Sequence, residues 1–138
     1  MKDVKFNKKQ KEIFGELGIS LVYVFGSQID GTQNKVSDID VGIVFDKGVD
    51  YQDNKKERYI KLFDIFTDIF RDYKKVDLIF LQETSLMLQS RVALGGEVIY
   101  SDDVSRRKEF DYKEYVMKHH ADTQYFRDMR QQAILDRI

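Results

Sequence analysis

The 138-residue chain contains no cysteine and no proline. The first absence excludes disulfides, thiolate zinc sites and cysteine nucleophiles, and fits a reducing cytoplasm. The second leaves no proline-rich linker, and neither an internal repeat nor a low-complexity tract takes its place. Charge of one sign is lacking too: 23 Lys and Arg stand against 24 Asp and Glu, a net −1. General nucleic-acid binding usually leaves a clear basic excess, so no direct nucleic-acid partner is expected. No stretch approaches the roughly 18 consecutive apolar residues of a membrane span. The lysine-rich start, Met1 to Gln10, has no apolar run behind it, so neither a signal peptide nor a membrane partner is expected. What remains is 42% hydrophobic and 34% charged, ordinary for a soluble globular protein. The length suits one domain, 1–138, in the cytoplasm.

The most informative stretch runs from Gly26-Ser27 across ten residues to Asp38-Ile39-Asp40. Leu21-Val22-Tyr23-Val24-Phe25 before it is a short apolar, β-branched and aromatic run stopping at glycine, which predicts a buried strand. Val41-Gly42-Ile43-Val44-Phe45 predicts a second strand beginning at Asp38. Strand side chains alternate, so Asp38 and Asp40 share one face while Ile39 turns into the core. Two carboxylates that close repel each other unless a cation lies between them. Oxygen-only ligands favour a hard ion such as Mg²⁺, which also takes oxygens from substrate phosphates. Gly26 lets backbone approach a phosphate, and Ser27 adds a hydroxyl donor. Alone, Gly-Ser is an ordinary turn. Asp77, inside Val76-Asp77-Leu78-Ile79-Phe80-Leu81, is a further candidate. It is either an edge-strand aspartate facing water or a third ligand and base, its burial offset by metal or by Lys74 or Lys75.

Elsewhere, Asn7 predicts a helix cap and Gly18 the helix end, with Ile13, Phe14 and Leu17 on one face. Three- and four-residue steps from Tyr59 through Leu62, Phe63, Phe66, Ile69 and Phe70 to Tyr73 predict a helix from about Asn54 to Tyr73 with that stripe in the core. Thr84 or Ser85 starts another helix that stops at Gly95-Gly96, and Val98-Ile99-Tyr100 is a short strand. The segment 104–138 is helix-rich and charged. Its Tyr112, Tyr115, Val116, Phe126, Met129 and Ala133 either pack on the sheet or dock a partner. His119 and His120, adjacent on a helix, diverge by about 100° and predict surface residues rather than a shared metal site. Lys2, Lys5, Lys8, Lys9 and Lys11 predict a solvated face. The alternating order implies an α/β (α+β) fold, a sheet covered by helices.

Gly26-Ser27, the ten-residue gap, Asp38-Ile39-Asp40 and the later strand aspartate together resemble the minimal nucleotidyltransferases of the polymerase-β superfamily. Ser37-Asp38-Ile39-Asp40-Val41 is especially typical, and Gly96-Glu97-Val98-Ile99-Tyr100-Ser101 also looks family-like. In length and layout the chain is similar to the MntA-type antitoxins of HEPN–MNT toxin–antitoxin pairs. The resemblance implies a polymerase-β-like fold with a mixed sheet and a long C-terminal helix. It implies that Asp38 and Asp40 hold two Mg²⁺ ions, that Asp77 completes the catalytic ion's shell and helps deprotonate the acceptor, and that Gly26 and Ser27 grip the β- and γ-phosphates of ATP. The implied activity is transfer of AMP to a tyrosine hydroxyl of a HEPN ribonuclease toxin, which silences it. Many relatives read Gly-Ser-Arg-x-Arg-Gly, whereas this chain reads Gly26-Ser27-Gln28-Ile29-Asp30-Gly31. A cation near the triphosphate is missing, and Lys35 or a lysine from elsewhere is left to supply it. Two alternatives follow: a small-molecule, aminoglycoside-type nucleotidyltransferase, and an antitoxin that neutralises by binding alone. Oligomeric state is open, with room for a homo-oligomer.

Overall fold

The computed structural model describes residues 4–25, 38–103 and 105–120. Helix α1, Lys8–Leu17, starts where Asn7 accepts from the Gln10 amide at 2.8 Å and the Gln10 side chain accepts from the Asn7 amide at 2.9 Å. This reciprocal cap satisfies two donors that a helix start otherwise leaves open. The helix ends at Gly18, whose φ of 75° suits a residue without Cβ. Strands β1, Ile19–Phe25, and β2, Asp38–Phe45, follow. Helix α2, Lys55–Ile69, leads to β3, Lys75–Phe80, and a 3₁₀ turn, Leu81–Glu83. Helix α3, Leu86–Gly95, begins where Ser85 accepts from the Leu88 amide. Strand β4, Glu97–Ser101, and helix α4, residues 107–120, complete the described fold.

The sheet order is β3-β2-β1-β4. Strand β1 pairs antiparallel with β2 and β4, while β2 and β3 run parallel, so the sheet is mixed as expected. One face is covered by α1 and α2. Phe14, Leu62 and Phe66 there are fully buried against Val22, Val24, Ile39, Val41 and Ile43, and the Phe14 and Phe66 rings stack at 5.8 Å. The other face is covered by α3 and α4, where Val92, Ala93, Tyr112 and Val116 pack on Leu21, Tyr23 and Val44. Gly42 belongs to this second face. A Cβ there would lie 2.8 Å from a Leu81 methyl, so the close approach of the 3₁₀ turn requires glycine.

Three expectations need correction. Helix α2 stops at Ile69 rather than Tyr73, because Arg71 to Lys74 must turn the chain into β3. Its aromatic stripe divides: Leu62, Phe66 and Phe70 are core, whereas Tyr59 and Phe63 remain more than a third exposed. The stripe is wider than the sheet face that receives it. Leu81 ends β3's run not as strand but as the first residue of the 3₁₀ turn. On α4, Tyr112 and Val116 are buried and Tyr115 is exposed. The first part of this helix therefore packs on its own sheet. Phe126, Met129 and Ala133 lie outside the described residues, as does Lys2. Lys5, Lys8, Lys9 and Lys11 are exposed as expected.

Candidate active site

The site lies where β2 and β3 begin and β1 ends. Alternation along β2 sends Ile39 into the α1–α2 core, fully buried, and turns Asp38 and Asp40 to the opposite face. Asp38 is exposed and Asp40 half-buried. The two therefore stand at the rim where the α3–α4 cover gives way to solvent. Parallel register sets Asp40 opposite Asp77 and Asp38 opposite Lys75. On the other side of β2, Phe25 is the partner of Asp40.

Sequence distance hid this square of side chains; pairing across strands about 4.8 Å apart creates it. Burial pushes the Asp40 carboxyl above its ordinary pKa, and the charge of Asp77, a hydrogen bond to Asp77 and the charge of Asp38 add to the effect. The first pair and the third carboxylate thus act on one another. Asp77 lies on an edge strand with its side chain 38% exposed, less buried than its apolar surroundings in sequence imply. Its counter-charge is Lys75, with Nζ 3.4 Å from Asp77 Oδ1. Of the two lysines expected to offset Asp77, this is the one in the strand. Its i, i+2 spacing from Asp77 is the signal that puts both on one face.

The donor set is of the kind a hard divalent cation takes: oxygen ligands, neighbouring negative charge, and a carboxyl held up in pKa by burial and then by the carboxylates beside it. Among the described residues no three carboxylate or imidazole groups stand close enough together to hold an ion as placed. Asp40 and Asp77 are the pair in contact. Gly26 and Ser27 lie outside the described residues, as do Gln28 to Asp30 and Lys35; the last described residue of β1, Phe25, is the partner of Asp40.

Two features fall outside the expected set. The Tyr23 hydroxyl, beneath α4 on the same face as the carboxylates, is buried without a hydrogen-bond partner among the described residues. Burial, then the charge of Glu109, raises its pKa. Nearby, Tyr112 donates to Gln89 Oε1 at 2.9 Å. A cleft of about 360 Å³ lined by Lys55, Tyr59, Ile79 and Glu83 opens farther along β3, and none of the three aspartates lines it. His119 packs on the Tyr115 ring at 4.1 Å, one helical turn away, and is half-buried, as is His120. No helix among the described residues is long and apolar enough to cross a membrane.

Comparison with solved structures finds the same fold in toxin–antitoxin complexes. A chain of a complex crystallised with AMP-PNP superposes with a TM-score of 0.61 at 21% identity, covering 91% of this chain and 94% of that one. The toxin–antitoxin complex MntA-HepT gives 0.57 at 18%, over 92% and 94%. The complex of the tri-AMPylated Shewanella oneidensis HEPN toxin with MNT antitoxin gives 0.56 at 19%, over 92% and 93%. No curated protein matches the chain significantly. The family model described as polymerase beta, nucleotidyltransferase matches residues 8–105, which span α1 to β4 and all three aspartates. The chain belongs to the polymerase beta nucleotidyltransferase family.

Proposed function

We propose that this nucleotidyltransferase is the antitoxin of a HEPN toxin–antitoxin pair, and that it transfers AMP from ATP to a tyrosine hydroxyl of its toxin. The observation that carries the reading is the register of β2 and β3, which pairs Asp40 with Asp77 on the face that also bears Asp38. The fold shared with toxin–antitoxin chains, including those crystallised with AMP-PNP or with an AMPylated toxin, supports the partner and the nucleotide.

Asp38, Asp40 and Asp77 would hold Mg²⁺, two ions by family resemblance. When bound, the metal supplies positive charge to the phosphates and to the attacking oxygen. Gly26 and Ser27 bind the β- and γ-phosphates. Asp77 receives the proton of the acceptor hydroxyl and passes it to water. The freed oxygen bonds to the α-phosphorus as the bond to the bridging oxygen breaks, and pyrophosphate leaves. Positioning and charge stabilisation carry the reaction. The whole chain, 1–138, acts as one domain, with 104–138 available for docking the toxin.

Incubation of the purified protein with its toxin, ATP and Mg²⁺ is expected to raise the toxin's mass by whole adenylyl units. An unchanged mass, with both proteins folded, overturns the proposal. A second reading, neutralisation by binding alone, is favoured by Gln28-Ile29-Asp30, where relatives often carry basic residues. Survival of neutralisation at stoichiometric ratio in an Asp38→Asn/Asp40→Asn double variant would select it.

A further inference from the structure

We infer that Gln82 is a positioning residue for the carboxylate site, holding β3 in the one register that sets Asp77 opposite Asp40. The inference rests on the adenylyl-transfer reading for what the pair does, and adds to it what keeps the pair together. Side-chain alternation alone does not keep it. Val76, Leu78 and Phe80 all face the α1–α2 core, so a slip of one residue would turn them outward. A slip of two residues, roughly 6.6 Å along the strand, leaves every apolar side chain on its proper face. It would nonetheless move Asp77 from Asp40 to a place opposite Asp38 or opposite Gly42. The position of the third carboxylate therefore needs a device finer than the apolar pattern.

That device stands just past the end of β3. The strand stops at Phe80, opposite Ile43, while β2 runs on to Phe45. No strand backbone is left to meet Phe45 on that flank, and the Gln82 side chain takes its place. Its Oε1 accepts from the Phe45 N–H at 2.9 Å, and its Nε2 donates to the Phe45 carbonyl at 2.9 Å. One side-chain amide thus satisfies both backbone groups that a neighbouring strand would otherwise meet. Leu81 adds a steric stop. It is fully buried against Gly42, where a Cβ would come within 2.8 Å of its side chain. Gly42 is the single glycine of β2, so a two-residue slip would drive Leu81 onto Asp40 or Val44. Gln82 lies five residues past Asp77, and Phe45 five past Asp40, roughly 17 Å along the strands. A neutral amide at that distance acts on the carboxylates through backbone pairing, not through charge.

The test measures Mn²⁺ affinity by electron paramagnetic resonance, and AMP transfer to the toxin, in wild type and Gln82→Met. Methionine keeps the length of the side chain and removes both hydrogen bonds. Circular dichroism fixes a temperature at which both proteins are fully folded, so a loss of stability alone would move neither readout. Gln82→Met is expected to weaken Mn²⁺ binding about tenfold, as loss of an orienting partner does at other metal sites. The kcat should fall on the order of tenfold to a hundredfold, with KM for the toxin unchanged. A disulfide then checks the cause. Ile39 and Val76 are register partners, and the chain has no cysteine of its own. Neighbouring strands stand about 4.8 Å apart, within the Cα separation a disulfide spans. Oxidised Ile39→Cys/Val76→Cys should bring Gln82→Met level with the same disulfide-linked protein that keeps Gln82. If Gln82→Met does not fold, Gln82→Glu carries the test, since its carboxylate still accepts from Phe45 but cannot donate. Unchanged Mn²⁺ binding and transfer in the folded variant would overturn the inference. So would a loss that the disulfide does not repair. Failure of the wild type to transfer AMP would remove the adenylyl-transfer reading, while the Mn²⁺ arm would still decide this one. A wild type that neither transfers AMP nor binds Mn²⁺ would overturn both.

Discussion

Strand β2 has aspartate at both ends, Asp38 and Asp40 within it and Asp46 just past it, and the two ends treat their charge in opposite ways. At its C-terminal end Asp46 meets Lys108 at 2.7 Å, and Lys108 also meets Asp102 at 2.5 Å. The two hydrogen bonds, to Asp102 first and then to Asp46, hold the lysine well above its ordinary pKa. This cluster is closed: two carboxylates, each one residue past the end of a strand, and one ammonium on α4, tying that helix to the sheet. At the N-terminal end Asp40 meets Asp77, and Lys75 stands 3.4 Å from Asp77. There burial, and after it the neighbouring carboxylates, raise the Asp40 pKa. A closed cluster belongs to the fold, whereas an open one stores repulsion that a ligand can relieve.

The largest effect that can break this contrast is expected from Asp40→Asn. It should abolish adenylyl transfer, read by toxin mass, while raising the melting temperature of the metal-free protein. The sign follows from the raised pKa: the native state holds its proton more tightly than the unfolded chain. A stability penalty therefore develops as pH rises from the ordinary carboxylate value through the raised one, and it is fully present at neutrality. A lower melting temperature in the variant would show that the N-terminal cluster is structural after all. Next in size is the response to metal. Mg²⁺ or Mn²⁺ at a hundredfold excess over its dissociation constant should stabilise the wild type by about 2.7 kcal/mol. In Asp40→Asn the gain should largely vanish, and in the wild type it should shrink as acidification protonates Asp40. Calorimetry with and without chelator measures both.

Lys108→Met probes the closed end. Orphaning two partly buried carboxylates should cost about 1 kcal/mol after solvent screening, seen as a lower denaturation midpoint, with AMP-PNP binding untouched. Smallest is the effect of Lys75→Met on metal-free stability. An exposed pair at 3.4 Å should contribute well under about 1 kcal/mol, so denaturant curves of variant and wild type should nearly coincide. A large loss there would make the two ends alike.

Much of the architecture was legible from local chemistry. Asn7 and Gly18 bracket α1, Ser85 and Gly96 bracket α3, and the apolar runs ending at Phe25 and Phe45 became β1 and β2. These signals are short-range, because a cap or an alternating strand is written within a few residues. The pairing of Asp38 and Asp40 on one face, with Ile39 buried between them, was legible for the same reason. The fate of the Tyr59–Tyr73 stripe was not. Helical spacing shows that a face is apolar but not how much of it the sheet can cover, so Tyr59 and Phe63 remain exposed. Likewise, the sequence offers no reason why Asp46, Asp102 and Lys108 should meet, since each is an ordinary charged residue beside a turn or a helix start.

By itself, then, the sequence determined the chemistry available to this protein: two carboxylates in strand alternation and a third carboxylate in a later strand, with a Gly26-Ser27 pair expected to meet phosphate. Tertiary structure decided what that chemistry faces. Parallel pairing of β2 with β3 put Asp77 beside Asp40 and Lys75 beside Asp38, and the order β3-β2-β1-β4 set β3 at the edge of the sheet, on the flank of β2 away from β1. The physical reason is register. Side-chain direction is fixed residue by residue along a strand, but neighbours across a sheet are chosen by backbone hydrogen bonding between segments far apart in the chain.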